Sequence, residues 1–78
     1  MSLTFQPVRV ATGIDEEGVL VFDEERRLLA VLTRLSSENE VAPGQWFLET
    51  GFGPLEGRTQ PTFSDLEAAQ EWIRQRIV

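Results

Sequence analysis

Two short apolar runs constrain this chain more than any other feature. Val19-Leu20-Val21-Phe22 and Leu28-Leu29-Ala30-Val31-Leu32 are joined by the polar segment Asp23-Glu24-Glu25-Arg26. Short apolar runs bounded by turn residues read as strands, and a tight polar connection between two of them reads as a hairpin. Neither run alternates apolar with polar. A strand with one wet face alternates, so continuous runs ask for cover on both sides of the sheet.

The rest of the chain supplies partners for this hairpin. Thr4 to Thr12 reads as a first strand, with Val8 and Val10 on one face and Arg9 on the other. Pro7 lacks an amide proton, which assigns that strand to a sheet edge. Gly13 to Gly18 turns the chain, with Asp15, Glu16 and Glu17 facing solvent. The second strand is Val19 to Phe22 and the third is Leu28 to Leu35. Ser36 to Gly44 is a polar loop closed by Pro43-Gly44, a strong breaker. Gln45 to Phe52 is a fourth strand, with Trp46 and Leu48 on one face and Phe47 on the other. Gly53 to Pro61 is irregular. Short connections favour antiparallel neighbours.

Asp65 to Ile77 reads as an amphipathic helix. Leu66, Ala69, Ile73 and Ile77 recur at helical spacing, and Trp72 widens the stripe. Ser64-Asp65-Leu66-Glu67 matches a capping box, in which Ser64 and Glu67 satisfy each other's backbone amides. Arg74 and Arg76 suit the negative end of the helix dipole. Trp72 and Arg76, four apart, are placed for a cation–π contact. The expected fold is a single α+β domain over residues 1–78. It is a four-stranded antiparallel meander packed by one C-terminal helix.

That architecture leaves a deficit of cover. A thirteen-residue helix is roughly 20 Å long and about 10 Å wide. Strands lie about 4.8 Å apart, so one helix covers little more than two of them. The second face must either curl onto itself or meet another protein. The expected partner is a second copy, with Trp46, Phe47, Leu48 and Phe52 as candidate interface residues and the fourth strand as the freer edge.

Composition narrows the chemistry. The chain has no His, Cys, Lys or Tyr, and carries 13 acidic residues against 7 arginines for a net charge of −6. The missing types supply most general bases, nucleophiles and soft metal ligands. No catalytic, cofactor-binding or metal site is expected. The triplets Asp15-Glu16-Glu17 and Asp23-Glu24-Glu25 flank the second strand at opposite ends, on the order of 20 Å apart, and read as solvated turns. Gly51-Phe52-Gly53-Pro54-Leu55-Glu56-Gly57 partly matches the glycine spacing of a dinucleotide loop. Pro54 interrupts it, and no helix opens there. Nucleic acid is disfavoured as a partner, because phosphate neutralisation needs clustered basic residues. No targeting segment or membrane span is apparent, so a cytoplasmic protein is expected.

The leading functional expectation is a non-enzymatic interaction module that self-associates. A second is a small ligand-binding or carboxylate-dependent enzyme domain using Glu49 and its aromatic neighbours, with Glu56 or Asp65 as second carboxylate. A third is a single-stranded RNA-binding sheet stacking bases on Phe47 and Phe52, which the acidic charge opposes.

Overall fold

The computed structural model describes residues 2–11, 17–36, 43–57 and 61–77. It is an α+β fold with one five-stranded antiparallel sheet and a C-terminal helix. The elements are β1 (Thr4–Arg9), β2 (Glu17–Phe22), β3 (Leu28–Arg34), β4 (Trp46–Gly51), a 3-10 turn (Gly53–Leu55), β5 (Thr62–Phe63) and α1 (Leu66–Ile77). Strand order follows chain order. The four-stranded meander stands, and β1 lies at an edge as Pro7 requires. Thr12, Asp15 and Glu16 lie outside the described residues.

The fifth strand departs from the expectation of an irregular segment. Thr62 and Phe63 pair with Phe47 and Trp46, and the Leu48 amide donates to the Pro61 carbonyl at 3.0 Å. The fourth strand is therefore not the sheet's free edge. The 3-10 turn packs over the sheet face at Gly51, where a Cβ would collide with the carbonyl of Leu55.

Two irregularities in register decide what is buried. Val21 faces Ala30 while Phe22 faces Leu28, so Leu29 is the extra residue of a bulge. The bulge lets Leu29 and Ala30, adjacent in sequence, both reach the core. A second bulge adds Glu49 to β4, between Leu48 opposite Leu32 and Thr50 opposite Val31.

The core lies on one face only. Val19, Val21, Ala30, Leu32 and Leu48 meet Ala69 and Ile73 of the helix, with Leu55 and Phe63 closing the sides. Leu32 and Ile73 are fully buried. Trp72 stacks edge-on against Phe63 at 5.6 Å, and the Arg76 guanidinium lies 3.9 Å from the Trp72 ring centroid, giving the expected cation–π contact.

The helix begins one residue later than the capping box implies. The Asp65 carboxylate accepts from the Ala68 amide at 2.7 Å, so Asp65 is the N-cap in place of Ser64. Ala68 then occupies the third helical position and cannot reach back, as Glu67 would have from a Ser64 cap.

Candidate functional site

The face opposite the helix is built by alternation. Because Val19 and Val21 point into the core, Leu20 and Phe22 point away from it. The register carries that face across the sheet. Gln6, Leu20, Val31 and Thr50 form one row, while Val8, Gly18, Thr33, Phe47 and Thr62 form the next. Leu20 and Val31 occupy the middle of the first row and Gly18 and Thr33 the middle of the second, and Thr4, Gln6, Thr50 and Thr62 border the face. Val8, Leu20, Phe22, Val31 and Phe47 are half-buried, and none belongs to the core cluster. Among the described residues no helix or second sheet is stacked on them.

One end of this face does curl. A Cβ at Gly18 would lie 2.9 Å from Val10 Cγ1 and 3.3 Å from Val8 Cγ2. The end of β1 and Val10 just beyond it thus lean over the glycine of β2. The same row holds Thr33, buried at 7% exposure, whose hydroxyl donates to Glu49 Oε2 at 3.1 Å. Glycine is needed at 18 because β1 approaches there with no room for a side chain.

The four candidate interface residues separate into three environments. Leu48 is core, and Trp46 packs against the core from its margin. Phe47 lies on the uncovered face opposite Thr33. Phe52 stands beyond the end of β4 and, among the described residues, is the large apolar side chain left exposed, at 40%. Phe47 and Phe52 are about 16 Å apart along an extended chain, so they do not form one stacking platform.

Glu49 is exposed and shares a cleft of about 310 Å3 with Glu56 and Leu55; Asp65 does not line it. Both residues are exposed, and Glu49 Oε2 accepts from the Thr33 hydroxyl. No group of three metal-ligating side chains occurs among the described residues.

Asp23 corrects the reading of the second acidic triplet as a solvated turn. It is 8% exposed. Its Oδ1 accepts from the Glu25 amide at 2.8 Å and the Arg27 amide at 2.9 Å, and its Oδ2 accepts from Arg27 Nε at 2.8 Å. The Arg27 amide bond chiefly holds the Asp23 carboxyl below its ordinary value. The guanidinium and the Glu25 amide help, against burial, which pushes it up. Arg26 takes the left-handed backbone conformation that closes the turn, with φ of 63°. An Asp opening a hairpin connection, with an Arg four residues on, is a signal for such a side-chain-built turn.

No known family model, curated protein or solved structure matches the chain. No helix among the described residues is long and apolar enough to cross a membrane.

Proposed function

We propose that this protein is a non-catalytic interaction module that pairs with a second copy of itself through the sheet face opposite the helix. The observation that supports the reading is the layout of that face. It carries Leu20, Val31 and Phe47, with Thr33 bonded to Glu49 beside them and a border of Thr and Gln. An apolar centre inside a polar rim is the anatomy of a protein interface. Edge pairing is the less favoured geometry, because β5 covers the first half of the β4 edge and Pro7 interrupts β1. A two-fold arrangement sets the same patch on both subunits and closes the assembly.

Sedimentation equilibrium tests the proposal. The expected result is a reversible monomer–dimer equilibrium, moved to monomer by Val31→Asp while the variant still unfolds cooperatively in urea. A single 78-residue mass at high micromolar concentration would overturn it, and the curled end at Gly18 would then account for the cover. The ligand-binding reading draws on the cleft shared by Glu49 and Glu56. Occupancy there would shift amide resonances from Leu48 to Gly57 instead of those of Leu20 and Val31.

A further inference from the structure

A second surface, away from the uncovered sheet face, has a different character. Between the β2–β3 turn, the 3-10 turn and the end of α1 lies a cleft of about 380 Å3. Leu28, Leu29, Phe52, Pro54 and Ile77 supply its apolar walls. That volume sits at the low end of small-ligand sites and admits one or two side chains. Two other clefts, beside β4 and along the first turns of α1, are lined mainly by polar groups and glycine.

The walls are held in place by the backbone. The Phe52 amide donates to the Leu29 carbonyl at 2.8 Å, and the Leu55 amide to the Phe52 carbonyl at 3.1 Å. Pro54 stiffens the 3-10 turn, and Gly53 takes φ of 58° to start it. The opposite wall is the turn that Asp23 builds. Phe52 is thus presented to solvent by a fixed frame.

The rim decides the occupant. The lining residues carry three carboxylates, Asp23, Glu24 and Glu25, against one guanidinium, Arg27. Arg27 Nε already spans Asp23 Oδ2 at 2.8 Å and Glu25 Oε2 at 3.5 Å. A negative rim beside the Phe52 ring and its apolar neighbours suits a segment that carries a cation next to an apolar side chain. A metal ion gains nothing from the ring and finds no ligand cluster there.

We infer that this cleft binds a basic peptide segment, seating an apolar side chain against Phe52 and Ile77 with a neighbouring Arg or Lys at the Glu24–Glu25 rim. This proposal is independent of the self-association reading. Charge complementarity names the partner, since the whole chain is acidic and the cleft more so.

The test uses the full chain, labelled with 15N, and the peptide acetyl-Leu-Arg-Leu-Arg-amide. The control is its Gln-for-Arg counterpart. Saturable shifts are expected at Leu29, Phe52, Gly53 and Ile77, with a Kd on the order of 1 mM. Raising salt well above physiological strength should weaken binding about threefold, and the control should bind more weakly still. Phe52→Ala should weaken binding about threefold to fivefold while leaving spectral dispersion intact, because Phe52 is exposed. Glu25→Gln, which keeps the fold and removes one rim charge, should weaken it by a smaller factor. Three results would overturn the inference. They are no saturable shift at these residues, equal binding of both peptides, or shifts confined to Leu20, Val31 and Phe47.

Discussion

The two faces of the sheet are made from the same strands and nearly the same residue types, yet they do different work. On one, Val19, Val21, Ala30, Leu32 and Leu48 are sealed by Ala69 and Ile73. On the other, Leu20, Phe22, Val31 and Phe47 stay half-buried beneath no element of the described chain. Side-chain period two places neighbours such as Val31 and Leu32 in opposite environments. Apolar residue type alone therefore does not define a core. The opposite element does, and here one helix of 12 residues has only one side to give.

The sharpest way to separate the faces is to truncate neighbours in β3. Leu32→Ala should cost about 2–5 kcal/mol, since Leu32 is fully buried and leaves a cavity. Val31→Ala, one residue away, should cost the monomer about 1 kcal/mol or less, because its site is partly wet already. Urea melts at low protein concentration measure both. Equal losses would break the comparison and mean that the second face is packed as tightly as the first.

The Asp23 turn serves both faces, because it fixes the β2–β3 register from which each is built. Its carboxyl is held below the ordinary Asp value of about 3.9. Its contribution is thus complete above that value and is lost as pH falls through the lower folded value. Asp23→Asn should flatten the acid limb of a stability–pH profile below about pH 4 and lower the plateau at neutral pH. An unchanged acid limb would show that other carboxylates carry it.

The smallest effect distinguishes two residues at the helix start. Asp65→Ala should lower stability by about 1 kcal/mol, the usual loss for an N-cap. Ser64→Ala should change it by less than about 0.5 kcal/mol, as a surface substitution away from a cap does. Thermal melts of the pair, run in parallel, read the difference. A larger loss at Ser64 would move the cap back and restore the reciprocal Glu67 bond.

Much of this architecture is legible in the residues. The apolar runs, Pro7 and the stripe from Leu66 to Ile77 place the meander, its edge and its helix. The cap shifts by one residue because Ser64 and Asp65 are both good caps, and sequence spacing favours the one with Glu three residues on. Only backbone direction decides between them. The fifth strand escapes because it is two residues long beside Pro61, and its pairing with β4 is a tertiary fact with no local period. The burial of Asp23 escapes for a different reason. A run of acids reads as wet, and the bonds to the amides of Glu25 and Arg27 that override this appear only once the chain turns. The interface candidates Trp46, Phe47 and Leu48 lie in one strand, and alternation alone already sends them to opposite faces. Phe52 lies past the strand end, where alternation says nothing.

Strand order that follows chain order also has a consequence for how the molecule assembles in time. Each strand pairs with its chain neighbour, so every closure is short and its entropic cost small. Hairpins of this kind form on the scale of microseconds. A helix of 12 residues is marginal in isolation and needs the completed sheet to hold it. The helix thus depends on the sheet more than the local closures of the sheet depend on the helix. The carbonyl of Leu55 lies over Gly51 on the Val19, Val21 and Leu32 side, so the 3-10 turn and α1 share that face of the sheet.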